Sequence, residues 1–265
     1  MKKLLLIPRA IIDILSIWKK QLPLKQKSSL TYTFSVLKVK KWIAKQDAVI
    51  TFPLFEYKVN GCNSEWLQYL VKEIFIDRIY EVTGIAATQP IRIIDAGSNI
   101  GLSVLFFKSC FPNAEIEAYE PNNTSFQLLQ QNVSENGLTD IKCVQAAISH
   151  NDEILYAEEG FSPCSLNQRF VSNANKKESV PVVRLVHLIQ NQRADLVKLD
   201  MEGAEMEVLK DVIAHNFLTK ASCWLVEFHH GPQEVNEIVN EFIQQGFEYR
   251  RKQDVYCFKQ TQNKA

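Results

Sequence analysis

Several features that would narrow the function at once are missing from this chain. The formal net charge over 265 residues is zero, so the molecule as a whole has no bias toward nucleic acid. None of the six cysteines forms a C-x-x-C pair, and most lie inside apolar runs. In a chain of this length that pattern favours buried, reduced thiols in a reducing, cytoplasmic compartment over a disulfide framework. No internal repeat or low-complexity tract is present, and the composition is typical of a soluble globular protein.

Acidic residues are nearly missing from the N-terminal 45 residues, which hold eleven Lys/Arg and only Asp13. The opening run has no small-x-small cleavage site, and Pro8 and Arg9 interrupt it, so it fits neither a signal peptide nor a membrane span. It predicts an amphipathic helix with one apolar face made of Leu4, Leu5, Ile11, Ile12, Leu15 and Trp18. That face can dock on the body of the protein, on another subunit through self-association, or on an anionic membrane surface as a peripheral contact. We favour docking to protein.

From residue 91 onward, strand-like and helix-like segments alternate. Alternation of this kind predicts an α/β fold, with a mostly parallel sheet that helices cover on both faces. The last two strand-like segments predict an antiparallel edge hairpin at the C-terminus. We therefore divide the chain into an N-terminal extension, 1–90, with a basic helical arm and a small accessory unit, and a cofactor-binding domain, 91–265.

A loop with two glycines follows the first strand of that domain, in the run "IIDAGSNIG". Ligands of open α/β sheets bind at the carboxyl ends of the strands, so the loop from Asp95 to Gly101 would line that crevice. Gly97 and Gly101 let the backbone approach a ligand and let the next helix pack closely. The second strand ends at Glu120, whose carboxylate can accept hydrogen bonds from both hydroxyls of a ribose. Because loop and acid must converge on one ligand, together they predict a nucleoside cofactor.

The loop lacks the G-x-G-x-x-G pattern, because Asn99 stands where the middle glycine is expected. A dinucleotide needs that open turn for its pyrophosphate. The pattern acid-x-Gly-x-x-x-Gly suits S-adenosylmethionine instead, which has no phosphate and carries an amino-acid tail that the loop can hold. Asparagine enters positive-φ turns readily, so we expect Asn99 to keep the bend and to offer its amide to the cofactor.

A second group of titratable residues follows the fourth and fifth strands. The run "KLDMEGAE" begins at the end of the fourth strand, and "VEFHH" adds Glu227, His229 and His230 at the end of the fifth. Acids at a helix N-terminus also stabilise the helix dipole, which is the structural alternative. Because these groups converge on one rim, we expect the general base for a neutral hydroxyl among Asp200, Glu202, Glu205 and His229.

The two adjacent histidines raise the alternative of a divalent metal site with Asp200 and Glu202. Neighbouring strand residues point to opposite faces, so at most one of His229 and His230 faces the crevice. We therefore predict no metal.

The segments "IIDAGSNIGLSVLFFKSCFPNAEIEAYEPN", "KLDMEGAE" and "KEIFIDRIY" resemble the FkbM-type family of S-adenosylmethionine-dependent methyltransferases over residues 70–230. The resemblance implies a class I methyltransferase with a Rossmann-like sheet, which methylates hydroxyls of sugars, glycolipids or related natural products. It also implies that Ala146 and Ala147 lie near the adenine. The expected cofactor-binding residues are Asp95, Gly97, Ser98, Asn99, Gly101, Glu120, Pro121, Ala146 and Ala147.

Two other classes of function stay open at this point. A nicotinamide-dependent oxidoreductase would use the same fold and the same ribose acid. A non-catalytic module that binds the cofactor or a glycan would retain its function when Asp200, Glu202 or His229 is substituted. The expected partner is a small-molecule or glycan hydroxyl acceptor, with no nucleic acid.

Overall fold

The structure is a computed structural model that describes residues 6–63, 65–157, 170–171 and 179–261. The sequence predicts a loop over residues 160–179, and most of that segment lies outside the described residues. Among the helices described, none is long and apolar enough to cross a bilayer.

The N-terminal extension begins with two helices and continues with a hairpin. Its elements are α1 (Leu6–Lys19), α2 (Leu24–Ile43), β1 (Val49–Leu54), β2 (Tyr57–Cys62), α3 (Glu65–Val71) and a π-helix (Lys72–Asp77). The predicted N-terminal helix is present, but Ile12, Leu15 and Trp18 of its expected docking face are exposed, whereas Ile17 is buried. Leu4 and Leu5 lie outside the described residues. The arm docks on the body through α2 instead, where Thr33 Oγ1 donates a hydrogen bond to the Pro53 carbonyl at 2.7 Å.

The remaining elements alternate between strands and helices as predicted, except over residues 141–184, where six strands follow one another among the described residues. In chain order they are β3 (Arg92–Ala96), α4 (Leu102–Cys110), β4 (Glu115–Tyr119), α5 (Asn123–Glu135), β5 (Ile141–Val144), β6 (Ala147–Ser149), β7 (Leu155–Ala157), β8 (Phe170–Val171), β9 (Ser179–Val180), β10 (Val182–Arg184), α6 (Leu185–Ile189), β11 (Ala194–Leu199), α7 (Glu205–Ala214), a 3₁₀ turn (Leu218–Lys220), β12 (Ala221–Glu227), α8 (Pro232–Gln244), β13 (Phe247–Lys252) and β14 (Val255–Gln260).

Seven of these strands form the central sheet, in the order β13-β14-β12-β11-β3-β4-β5. The five strands from β12 to β5 run parallel, and β14 and β13 add an antiparallel edge. This arrangement confirms the predicted fold class. The apolar run 141–149 predicts one continuous strand, the third of the domain, and this prediction is wrong in its extent. The chain leaves the central sheet after Val144, and β6 pairs with β10 in a separate small sheet.

Side chains of the central strands alternate between the two faces, as the period of two in a strand requires. Ile93, Leu196 and Leu225 pack with α4, α5 and the N-terminal unit in one apolar cluster, which also holds Phe34 and Phe75. Their neighbours in the chain pack on the opposite face with α7 and α8, in a cluster that includes Ile94, Val197 and Trp224. The N-terminal extension is thus part of the core on one face of the sheet.

A buried asparagine on α5 joins the N-terminal hairpin to the glycine loop. The Asn132 amide donates to the carbonyls of Asn60 and Ile100 at 2.9 and 2.8 Å, and its oxygen accepts the backbone N–H of Asn60 at 2.7 Å. Because all these groups are away from water, the bonds fix how the hairpin sits against the loop.

The cysteines differ in whether they form a disulfide bond. Cys110, Cys143, Cys223 and Cys257 are free, as expected. Cys62 is disulfide-bonded, so the prediction of a reduced thiol is wrong at this position. Residue 164, the remaining cysteine, lies outside the described residues.

Candidate active site

The glycine loop leaves β3 with three residues in the left-handed region. Gly97, Asn99 and Gly101 have φ of 77°, 48° and 89°. A Cβ at Gly97 would lie 1.8 Å from the Asp200 carbonyl oxygen, so only glycine fits beside the end of β11. A Cβ at Gly101 would lie 2.8 Å from Leu129 Cδ1 on α5. Asn99 has the positive φ that its residue type predicted, and its Oδ1 accepts the Ile100 N–H at 2.7 Å.

Glu120 ends β4 beside this loop. Its two carboxylate oxygens accept backbone N–H groups of Asn99 and Asn122, each at 2.8 Å. These bonds favour the ionised form, but burial outweighs them and raises the pKa of Glu120 to about 7. Each oxygen keeps a lone pair for a further donor, which is what a ribose diol would supply.

A buried lysine, Lys198, contacts the glycine loop from inside the core. Lys198 Nζ lies 3.1 Å from Asp95 Oδ1 and 3.5 Å from Asp200 Oδ2, and it donates to the Gly97 carbonyl at 2.7 Å. Burial opposes the charged ammonium, yet the carboxylates of Asp95 and Asp200 outweigh it and raise the pKa of Lys198. Asp95 also accepts from the Ser103 hydroxyl at 2.6 Å. Asp95 is thus buried in the core with its charge opposite Lys198, rather than presented to a ligand.

Two carboxylates meet at the ends of β11 and β12. The Tyr80 hydroxyl donates to Asp200 Oδ2 at 2.7 Å and to Glu227 Oε2 at 3.3 Å. Burial, followed by the charges of Asp200 and Glu73, raises the pKa of Glu227 to about 8. Burial and the Asp200 charge likewise hold the pKa of Tyr80 well above its ordinary value, so the phenol stays a donor.

His229 lies just beyond β12, in contact with the start of α7. Its Nδ1 is 3.0 Å from Glu205 Oε1, an oxygen that also accepts the backbone N–H of Met201 and of Gly203. The hydrogen bond to Glu205 raises the pKa of His229 to about 9, against the opposing effect of burial. His229 is therefore an imidazolium at neutral pH. Glu205 is fully buried, accepts backbone N–H groups of the turn after β11 and does not line the cavity described below.

One cavity of about 290 Å³ joins these groups. Of the predicted site residues, the structure brings eight together on its wall: Gly97, Asn99, Glu120, Pro121, Ala147, Asp200, Glu202 and His229. The others are buried around it without lining it, namely Asp95, Ser98, Gly101, Ala146 and Glu205. Ser98 donates its hydroxyl to the Asp95 carbonyl at 2.8 Å, so its side chain belongs to the loop's own structure.

The opposite wall comes from the N-terminal extension, for which the sequence leaves two possibilities: Glu73 and Tyr80 reach over the site, or they only pack the extension onto the body. Trp66, Tyr69 and Glu73 lie on α3 and the π-helix and line the cavity with Tyr80. Burial raises the pKa of Glu73, although a hydrogen bond from Tyr69 opposes that shift. The run "KEIFIDRIY" was a signal for this wall, since it belongs to the segments that carry the family resemblance.

Asp200, Glu205 and His229 also place one ligand-type atom each within 4.8 Å of one another. The direct bond from His229 to Glu205 already accounts for two of them, and a metal would have to replace that bond and deprotonate the imidazolium. Glu205 Oε1 is thus engaged by His229, whereas the buried Glu205 Oε2 has no hydrogen-bond partner among the described residues.

A mostly parallel sheet, with a glycine loop after β3 and a buried acid after β4, matches the fold of the class I methyltransferases. The profile of the "Methyltransferase FkbM domain" family matches residues 95–249, more than half of the chain. The chain belongs to this family.

Several relatives are methyltransferases by name. The chain is 30% identical over 179 residues to "Methyltransferase sdnD" of Sordaria araneosa, a match that covers 55% of this chain and 68% of that protein. It is 26% identical over 228 residues to "Hexuronic acid methyltransferase AglP" of Haloferax volcanii, over 80% of this chain and 90% of that one. A crystal structure of a methyltransferase FkbM from Methylobacillus flagellatus aligns with a TM-score of 0.49 at 12% identity, over 95% of this chain and 59% of that chain.

Proposed function

We propose that this methyltransferase transfers the methyl group of S-adenosylmethionine to a hydroxyl of a sugar, a glycolipid or a related natural product. The observation that carries the proposal is that Gly97, Asn99 and Glu120 line the same cavity as Asp200 and Glu227. The loop would hold the amino-acid end of the cofactor, Glu120 its ribose, and Pro121 and Ala147 its adenosine side. The methyl donor and a base then face the same space.

In-line displacement needs the acceptor oxygen, the methyl carbon and the sulfur in one line. The oxygen–carbon bond forms as the carbon–sulfur bond breaks, and S-adenosylhomocysteine leaves. The hydroxyl proton needs a carboxylate, because the imidazolium of His229 has no free lone pair to take it. Asp200 is held by Tyr80 and Lys198 next to the loop, so Glu227 is the residue that we assign as the base. Asp200 and the protonated His229 keep positioning roles beside it.

The acceptor side combines aromatic rings with carboxylates. Trp66 and Tyr69 are 47% and 49% exposed and form an edge-to-face pair with centroids 6.2 Å apart. Such rings offer flat apolar surface to the C–H face of a sugar. Glu202 lines the same space and would repel an anionic group, and Glu227 adds to that repulsion once it is ionised. A neutral sugar hydroxyl therefore fits better than a uronic acid, although the relative AglP is named for hexuronic acid.

A panel of acceptors with radiolabelled S-adenosylmethionine tests the proposal. It should pair neutral sugars and lipid-linked sugars with the matching uronic acids, and we expect label in the neutral members. Glu227→Gln should lower the rate about 10²–10⁴-fold, the usual contribution of a general base. Its matched control is Glu153→Gln, an exposed glutamate outside the cavity.

Calorimetry with S-adenosylhomocysteine separates binding from chemistry in the same variants. Binding without transfer to any hydroxyl acceptor would support a non-catalytic module and contradict the proposal.

A further inference from the structure

The outer face of α2 is apolar although it faces solvent. Leu24, Ser28, Tyr32, Ser35, Val39 and Trp42 recur at intervals of three or four residues and form one stripe along the helix, which Ile43 extends. The apolar members are 59–78% exposed. The opposite side of the helix is buried through Leu30, Phe34 and Leu37. The helix is therefore apolar on two faces, only one of which the body of the protein covers.

Helix α1 continues this surface. Ile12, Leu15 and Trp18 are 62%, 53% and 46% exposed. Trp18 Nε1 donates to Thr31 Oγ1 at 3.2 Å, which attaches the end of α1 next to Tyr32 of the stripe. We call Ile12, Leu15 and Trp18 together with the α2 stripe the arm surface. An exposed apolar area of this extent on a globular protein marks an interaction site.

The charges around the arm surface identify the partner. Residues 14–46 contain eight lysines and no acid. At 100° per residue, Lys38 flanks one side of the stripe and Lys25 and Lys40 flank the other, with Lys45 just past the helix end. Apolar and tryptophan side chains on one face, with lysines along its borders, are the composition of a helix that lies in a membrane interface. A protein surface would need a matching acidic ring, whereas an anionic bilayer supplies negative charge everywhere.

We infer that the arm surface docks on the surface of an anionic lipid bilayer. The apolar side chains enter the boundary between headgroups and acyl chains, and the lysines contact lipid phosphates. The arm is tied to the cavity wall, because Lys20 Nζ lies 2.8 Å from Asp77 Oδ1 on the π-helix that carries Glu73. Docking would therefore hold the acceptor side of the cavity close to the membrane. This inference stands independently of which hydroxyl is methylated.

Co-sedimentation of the full chain with vesicles tests the inference. We expect binding to phosphatidylcholine vesicles that contain phosphatidylglycerol, little binding to phosphatidylcholine alone, and weakening by salt. Each lysine near an anionic surface multiplies binding about fivefold, so replacing Lys25, Lys40 and Lys45 with Gln should lower it about a hundredfold. Trp42→Ser with Ile43→Ser should lower it too. The controls are Ile243→Ser, which is 50% exposed on α8, and Gln at Lys142, Lys210 and Lys220.

Quenching of tryptophan fluorescence by brominated lipid gives a second readout on the unmodified chain, so the test does not depend on a variant that folds. Equal binding to both kinds of vesicle, or no quenching, would overturn the inference. So would a dimer in sedimentation velocity that Trp42→Ser dissociates, because the arm surface would then be covered by a second copy.

Discussion

The Tyr80 hydroxyl stands between two carboxylates, 2.7 Å from Asp200 Oδ2 and 3.3 Å from Glu227 Oε2. The two acids end neighbouring parallel strands, whereas Tyr80 follows the π-helix of the N-terminal extension. A neutral donor of this kind lessens the repulsion between the two half-buried carboxylates and favours the ionised form of Glu227. The extension therefore takes part in setting the charge of the cavity.

We predict that Tyr80→Phe lowers kcat about 10–100-fold, the effect of losing a hydrogen bond to a charged group. The pH profile should move as well. Burial raises the pKa of Glu227 to about 8, and the base acts when ionised, so the rate should rise with pH through about 8. Without the Tyr80 donor the ionised form is less favoured, and the rising limb should shift to higher pH. Measuring kcat against pH checks this, and an unmoved limb would show that Tyr80 only packs.

Asn99→Gly should fold normally, because glycine accepts the φ of 48° without strain. The variant loses the amide that lines the cavity, and we expect about a tenfold weaker affinity for S-adenosylhomocysteine, as for one hydrogen bond to a charged carboxylate. Calorimetry measures it, with the melting temperature as the check on folding. Unchanged affinity would mean that Asn99 serves only the bend of the loop.

Glu120 should make cofactor binding depend on pH. Burial raises its pKa to about 7, and ribose hydroxyls bind to the ionised carboxylate. Below that pH the carboxyl must lose a proton to bind, so affinity for S-adenosylhomocysteine should fall about tenfold per pH unit below 7 and level off above it. Glu120→Gln should bind weakly at every pH. A flat profile in the unmodified chain would place the ribose elsewhere.

Chelation should leave the rate unchanged. Asp200, Glu205 and His229 have the spacing of a metal site, but Glu205 already holds the imidazolium of His229 at 3.0 Å. We expect full activity after dialysis against EDTA, and no gain from Mg²⁺, Mn²⁺ or Zn²⁺. Activity that is lost with EDTA and restored by one of these ions would show that the cluster ligates a metal.

The cofactor side of the cavity could be predicted from sequence because its determinants are local. Two glycines and an asparagine follow one strand, and an acid ends the next, so topology alone brings them together. Lys198 is an example of a residue whose role cannot be predicted from the sequence. The sequence shows a lysine in an apolar strand. Only the structure shows that this lysine is buried against Asp95 and donates a hydrogen bond to the Gly97 carbonyl of the glycine loop.

The acceptor side could not be predicted in the same way. Tyr80 and Asp200 are 120 residues apart, and no periodicity connects them. The position of Glu205 is compatible both with catalysis and with the start of a helix, and the sequence does not show that its side chain is buried at the start of α7. Helix α2 was missed because apolar residues occupy two of its faces, which weakens the one-sided pattern that marks a surface helix.

The bond that forms in the product tests the central claim most directly. The full chain, a neutral sugar acceptor and S-adenosylmethionine with an isotope-labelled methyl group should give a product for nuclear magnetic resonance and mass spectrometry. We predict a methyl ether on a sugar hydroxyl, formed by the unmodified chain and nearly absent with Glu227→Gln. A methyl ester, a methylated nitrogen, or an ether that forms equally fast with Glu227→Gln would contradict the assignment.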